Sequence, residues 1–381
     1  MKSGWVTKKL GEVCEIIMGA SPDSKSYNIM RDGLPFYQGK TEFGAEYPTP
    51  VKWCSEPVKI AQSGDVLLSV RAPIGPVNFA NEKCCIGRGL SALRFEGEQR
   101  YLYYFLQASE TELDARGTGT TFKCISGQSL RSVPIPIPPL AEQKRIVAKI
   151  DAAFEKIDKL KANAEKNLAN AKDLFQSALD EAMRPKDGWV EKRLGEVGTT
   201  LTGMTPSTRD KSNFGNFMPF VKPADIMPFN PINYREEGLS QKGVSCSRLI
   251  KSDSVLMVCI GASIGKTGYA DRDCTCNQQI NALMPNGFDG RYLYYMLSSD
   301  KFKKKLMEDA GQATLPIINK SKWENLSICV SLSLSEQREI VKRLDLLAEK
   351  IKILEQNYTQ QIADCVEMRQ AVLREAFEGR L

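Results

Sequence analysis

The sequence predicts a mixed α/β fold. Two globular domains are separated by two long antiparallel coiled-coil helices, and the whole is pseudo-two-fold symmetric. Three observations predict it. Long segments of the 381-residue chain occur twice. Each copy ends in a stretch free of helix breakers. Each copy also holds strand-length apolar runs closed by Gly-bearing turns.

The repeat sets the frame. WVTKKLGEV at 5–13 recurs as WVEKRLGEV at 189–197, and RYLYYFL at 100–106 as RYLYYML at 291–297. LAEQKRIV at 140–147 recurs as LSEQREIV at 334–341, and ALDEA at 178–182 as VLREA at 372–376. The offsets run 184, 191, 194 and 194, so small insertions fall mostly before the Tyr-rich segment. This divides the chain into a first globular domain over 1–139, a long helix over 140–185, a second globular domain over 186–333 and a long helix over 334–381.

Residues 140–184 contain neither Pro nor Gly, follow Pro134, Pro136, Pro138 and Pro139, and stop before Pro185 and Gly188. These are helix-boundary signals. Ile150, Ile157, Ala164, Ala171 and Ala178 recur every seven residues, and Val147, Phe154, Lys161, Leu168, Phe175 and Ala182 fill the partner register. That is a coiled-coil seam with one charge in it. Such a helix is roughly 60–70 Å long at the helical rise. Adding 194 gives Leu344, Ile351, Tyr358, Cys365 and Val372, all apolar. If the two seams face each other, the second helix runs back antiparallel, leaving a domain at each end of a rod. The interface residues expected on these helices are Ile150, Phe154, Ile157, Leu168, Leu344, Ile351, Tyr358 and Ile362. Lys161 and Glu355 have no explanation as seam residues. Ser333 and Glu336 form a capping box at the second start, and Gly379 supplies the stop.

Within the domains, 65–70 and 254–260 are strands, each followed by a Gly-bearing turn. Residues 101–109 and 292–305 are helices, with loops at 117–121 and 311–314. No uninterrupted apolar run reaches 18 residues, and the N-terminus lacks a signal-peptide core, so a cytoplasmic protein is expected. The eleven Cys are expected as reduced thiols, with Cys84, Cys85, Cys274 and Cys276 buried on strands rather than holding zinc. The chain has no His, which removes the commonest general base. Gly265-Lys266-Thr267 misses the phosphate-loop spacing, and residues 230–233 fall short of an amino-methyltransferase motif. No matched carboxylate pair recurs. A net charge of +6 permits nucleic-acid binding without requiring it.

The frame repeats but the loops between do not. Residues 33–40 face 216–225, and 85–91 face 276–281. One frame with two polar loop sets suits a reader of two different ligands. Gln and Asn match adenine, and Arg and Lys match guanine, in the major groove. The plain alternative is that Gln278, Gln279 and Asn281 cap turns.

The tandem plan, the WVxKxLGEV opening, the Ile-Gly turn and PPLAEQKRIV at the helix start together resemble the DNA-specificity subunit of Type I restriction–modification systems. The resemblance covers the whole chain. It implies that each domain is a target recognition domain reading one half of a split, asymmetric site on double-stranded DNA. The long helices would be spacers that set the gap and dock two methyltransferase (modification) subunits. Those subunits would carry S-adenosylmethionine and modify adenine, and ATP/Mg-driven restriction subunits would join for cleavage. This chain itself would hold no cofactor and no catalytic residue. The recognition role falls on Gln38, Lys40, Arg71, Arg88 and Lys123 in the first domain. In the second it falls on Lys222, Lys266, Gln278, Gln279, Asn281 and Lys320. The second domain has no Arg matching Arg71; Cys259 or Gly261 stands near there. Lys123 and Lys320 occupy near-matching places. Two rivals stay open: a fused nuclease or methyltransferase, which needs the motifs absent above, and a coiled-coil adaptor, which predicts no basic face.

Overall fold

The structure, a computed structural model, describes residues 4–119, 123–234, 238–310 and 316–381. The chain divides into two compact units, Met1–Ala164 with Gln360–Leu381, and Glu165–Thr359. Both long helices run through both units, as Leu140–Ala182 and Leu334–Phe377.

The first unit holds an antiparallel sheet ordered Cys14–Met18, Leu90–Phe95, Val66–Ser69, Val77–Phe79. A second sheet orders Tyr27–Asn28, Lys52–Cys54, Leu34–Tyr37, Cys84–Ile86 and Ile60–Ala61. Its Leu34–Tyr37 and Cys84–Ile86 pair is parallel. The other unit repeats the first sheet as Gly198–Thr202, Ile280–Pro285, Ser254–Val258, Thr267–Ala270. It repeats the parallel pair as Phe220–Val221 with Thr275–Cys276. The alternation of these strands is suppressed because both faces are covered: Val66–Ser69 and Ser254–Val258 are buried throughout.

The Tyr-rich helices are Gln99–Ala108 and Gly290–Ser298. They are buried nearly all round, so every polar tip needs a partner. Tyr101 donates its hydroxyl to the Pro136 carbonyl at 2.8 Å, and Tyr292 accepts from Ser331 N at 3.2 Å. The expected single helix over 292–305 is two helices, Gly290–Ser298 and Asp300–Ala310. Ser299 is extended, donates its hydroxyl to the Met296 carbonyl and accepts from Phe302 N. It caps a second helix instead of continuing the first. The loop expected at 117–121 is described only to residue 119, and 311–314 lies outside the described residues.

A buried glutamine joins each long helix to its unit. Gln143 accepts from Glu98 N (2.9 Å) and donates to the Pro138 carbonyl (2.9 Å). Gln337 accepts from Asp289 N and donates to the Ser331 carbonyl, both at 2.8 Å. About two turns on, Asp151 takes the Arg100 Nε (3.2 Å) and the Tyr104 hydroxyl. Asp345 takes Arg291 Nε and the Tyr295 hydroxyl, both at 2.6 Å. Only half of the capping box forms: Ser333 Oγ accepts from Glu336 N, but the Glu336 carboxylate goes to Trp189 Nε1 and Ser331 Oγ. Gly379, at φ +76°, makes the stop.

In the first unit the helices run antiparallel. Arg145 reaches the Leu381 carbonyl at 2.8 Å, while Arg369 lies 3.8 Å over the Phe154 ring and bonds Asp158 at 2.6 Å. In the other unit Phe175 and Leu179 share a core with Leu344 and Ile351. Ile150, Phe154, Ile157, Leu344 and Ile351 are buried; Leu168, Tyr358 and Ile362 are half-buried. Near the helix ends the seam steps from Ala178 to Leu179 and from Val372 to Leu373. An α-helix drifts about 20° per heptad against a strict seven-residue repeat, which moves the buried position one residue along. Lys161 and Glu355 are half-buried.

No helix among the described residues is long and apolar enough to cross a membrane. Cys84, Cys85 and Cys276 are free and buried on strands, Cys274 is free and buried at an isolated bridge to Ile250, and no metal-binding cluster occurs among the described residues.

Candidate nucleic-acid interface

Backbone hydrogen bonds align the two units residue by residue. Ala20 N reaches the Ile86 carbonyl as Met204 N reaches that of Cys276. Gly87 N reaches the Tyr37 carbonyl as Asn277 N reaches that of Val221. Val70 N reaches the Gly89 carbonyl as Cys259 N reaches that of Gln279. Arg71 bridges Cys124 as Ile260 bridges Ile317. Thus Ser21 stands where Thr205 does, Gln38 where Lys222 does, Arg88 where Gln278 does, and Arg71 where Ile260 does. The 85–91 and 276–281 loops are one residue out of the register expected from sequence: Cys85 matches Thr275, because these two pair with Phe36 and Phe220. The residue standing at the Arg71 place is Ile260, between the two expected.

In the first unit Gln38, Lys40, Arg71 and Arg88 line one open concavity of about 360 Å³, with Thr41, Ser69 and Pro73. Arg88 projects from a tight turn between Gly87 and Gly89. A Cβ on Gly89 would come within 2.4 Å of the Gln38 carbonyl oxygen, so only glycine lets the turn close there. Gln38 Nε2 donates to Ser21 Oγ at 3.0 Å, which orients the amide. Lys40, Arg71 and Arg88 are exposed, and among the described residues none has a carboxylate partner. The result is a concavity with three free cations and one oriented amide.

The second unit builds the same place from other residues. Thr205 Oγ1 donates to Gln278 Oε1 at 2.5 Å. Asn277 Nδ2 donates to Gln279 Oε1 (2.9 Å), so the turn is held by side chains where the first unit uses glycines. Lys222 is exposed, with its ammonium 5.8 Å from the Phe220 ring.

Four expected residues belong elsewhere. Lys123 is engaged by Asp114 at 2.6 Å, although its carbonyl holds Ala72 N beside Arg71. Lys320 pairs with Glu324 at 2.6 Å within its own short helix. The two lysines are not equivalent: Lys320 follows the cap Asn319 as Gly127 follows the cap Ser126. Asn281 is 2% exposed, pairs in the sheet and accepts from Thr202 Oγ1, so it does not face a groove. Lys266 closes the turn back from Val258, with Gly265 at φ +84°, and forms no phosphate loop.

Sequence reasoning missed Ser21 and Thr205, although Gly-x-Ser/Thr-Pro recurs at 19–22 and 203–206. It also missed an exposed basic pair at matched places. Lys59 lends its carbonyl to Ile86 N beside the Arg88 turn. Arg248 donates to the Thr202 carbonyl at 2.8 Å.

A protein-family model described as the Type I restriction modification DNA specificity domain matches this chain twice, at residues 2–169 and 186–363. The chain is 39% identical over 180 residues to the putative type I restriction enzyme MjaX specificity subunit of Methanocaldococcus jannaschii, covering 46% of this chain and 42% of that protein. It is 20% identical over 419 residues to the EcoBI specificity subunit of Escherichia coli, covering 99% and 86%. Over 425 residues it is 24% identical to the StySPI specificity subunit of Salmonella potsdam, covering 100% and 90%. Among solved structures, a chain from work on complex assembly and conformational transition of the type I R-M system superposes with a TM-score of 0.82. Identity there is 24%, with 100% and 99% covered. The HsdS subunit of Thermoanaerobacter tengcongensis gives a TM-score of 0.60 at 23% identity, with 100% and 98% covered.

Proposed function

Because the chain belongs to the Type I restriction–modification DNA specificity family, we propose that each globular domain reads one half of a bipartite, asymmetric DNA target. The observation that carries this reading is the matched pair of sites. One backbone presents Ser21, Gln38, Arg71 and Arg88 in one unit, and Thr205, Lys222, Ile260 and Gln278 in the other. Arginine donates two parallel hydrogen bonds to guanine, and glutamine matches adenine's donor and acceptor. At the matched turn, Arg88 therefore suits a guanine in one half-site and Gln278 an adenine in the other. Lys40, Lys59 and Arg248 position the duplex through phosphates.

The long helices set the gap and dock two methyltransferase subunits. Leu160, Leu174, Leu346, Ile353 and Val366 are each more than half exposed on these helices, apolar surface that a docked partner would cover. Those subunits bring S-adenosylmethionine and methylate adenine; ATP-driven restriction subunits join them for cleavage. The chain itself reads DNA and supplies no catalytic group.

The test is methylation mapping in a host without other methyltransferases, with this chain co-expressed with its methyltransferase subunit. The expected result is adenine methylation in both halves of one split, non-palindromic sequence. A contiguous target, or one methylated half, would contradict the reading.

A further inference from the structure

The two Arg–Asp–Tyr clamps differ in one group. In the first unit Arg100 gives Nε to Asp151 and Nη1 to Glu46 Oε1 at 2.6 Å. In the other unit Arg291 gives Nε to Asp345, and among the described residues no carboxylate meets its remaining nitrogens.

The cause is a loop substitution. Thr49 N bonds the Glu42 carbonyl as Asn233 N bonds that of Asp225, so the loops 42–49 and 225–233 are equivalent. Four residues past each start stand Glu46 and Phe229. Phe229, at φ +58°, turns its ring onto Phe175, with centroids 4.6 Å apart and Lys303 5.7 Å away. Where the carboxylate stands in one unit, the other has an open cavity of about 130 Å³. Arg291 lines it with Phe229, Tyr269, Tyr294 and Tyr295. The guanidinium is 5.2 Å from the Tyr269 ring centroid, which fixes its plane. Asp271, also in the lining, is held by Arg272 at 3.1 Å.

We propose that this cavity is a carboxylate-binding site, with Arg291 as the ligand-binding group and the aromatic side chains as its walls. The guest takes the place that Glu46 fills in the repeat. It is a small acid, either free or presented as an acidic side chain by a docked chain. A planar carboxylate matches the two remaining terminal guanidinium nitrogens, and the aromatic walls accept a short apolar tail.

The test uses the full chain labelled with ¹⁵N-arginine, its Arg291 Nε–H resonance assigned by loss in Arg291→Lys. Acetate, benzoate and a blocked glutamate amino-acid amide are titrated separately. The Arg291 signal is expected to shift saturably. Phe229→Glu, which supplies the missing carboxylate, should weaken binding about tenfold or more. Glu46→Ala should open a second site, read at Arg100. Saturation by acetate or benzoate supports a free acid; saturation by the glutamate amide alone supports a presented side chain. Absence of saturation with all three would overturn the proposal. So would affinity that is unchanged in Phe229→Glu while Glu46→Ala leaves Arg100 unresponsive. None of these readouts involves DNA, so failure here leaves the proposed target reading standing.

Discussion

At the scale of single residues, the glutamine of the Leu-x-Glu-Gln motif explains why that motif is the strongest mark of this chain. Gln143 and Gln337 are buried, and each satisfies one N–H and one carbonyl where a strand gives way to a helix. A sequence cannot show this, since a glutamine on a helix usually faces water. Gln337→Ala strands one buried and one part-buried backbone group and should destabilise its unit by about 1–3 kcal/mol. Urea unfolding measures this, and Gln337→Glu should not restore it, because a carboxylate cannot donate to Ser331. Arg88 and Gln278 were legible as candidates because they sit in polar turns within an otherwise repeated frame, and backbone hydrogen bonds put them at matched places. The partners of Lys123, Lys320 and Asn281 were not legible, because neither an ion pair nor a sheet neighbour is visible in one dimension. The buried thiols carry a pH prediction. Burial pushes Cys14, Cys84, Cys259 and Cys274 up to about 12, and Cys85 to about 11. An acid whose folded pKa is raised ionises first in the unfolded chain. Stability is then present below the ordinary thiol range and lost as pH rises from about 9 towards 12. The loss should be on the order of 1–2 kcal/mol per thiol at pH 10. Unfolding followed at pH 8 and pH 10 checks this, and Cys84→Ala should reduce the difference.

Among elements, the long helices were the most legible, because their seam repeats along more than forty residues without Pro or Gly. Their ends were less so. The heptad predicts Ala178 and Val372, whereas Leu179 and Leu373 are the buried residues, a consequence of helical drift. The break at Ser299 was hidden because a serine is tolerated within a helix; its two local hydrogen bonds decide against continuation. Ile150 is fully buried in the seam, so Ile150→Ala should cost about 2–5 kcal/mol by thermal or urea unfolding. If the paired helices set the gap, seven residues inserted into each keep the apolar face in register and add about 10 Å. The recognised gap should then widen by about three base pairs. Methylation mapping of the insertion variant checks it; an unchanged gap would end the spacer reading.

For the whole molecule, duplication supplies the frame and divergence supplies the loop chemistry. The paired strands, Tyr-rich helices, buried glutamines and Arg–Asp–Tyr clamps recur in both units. The turns between them carry different chemistry: Gly-Arg-Gly at 87–89 against Asn-Gln-Gln at 277–279. The fold was readable because repeats and periodicity are properties of the sequence. The residue-by-residue match of the two sites was not, because it rests on cross-strand hydrogen bonds and shifts by one residue in these loops. The most direct measurement is methylation mapping of Arg88→Ala and Gln278→Ala beside the unaltered chain. Arg88→Ala should relax or change one half-site by about 1–3 kcal/mol of base discrimination and leave the other as it was; Gln278→Ala should do the converse. Equal losses in both halves, or an unchanged target in both variants, would contradict the account.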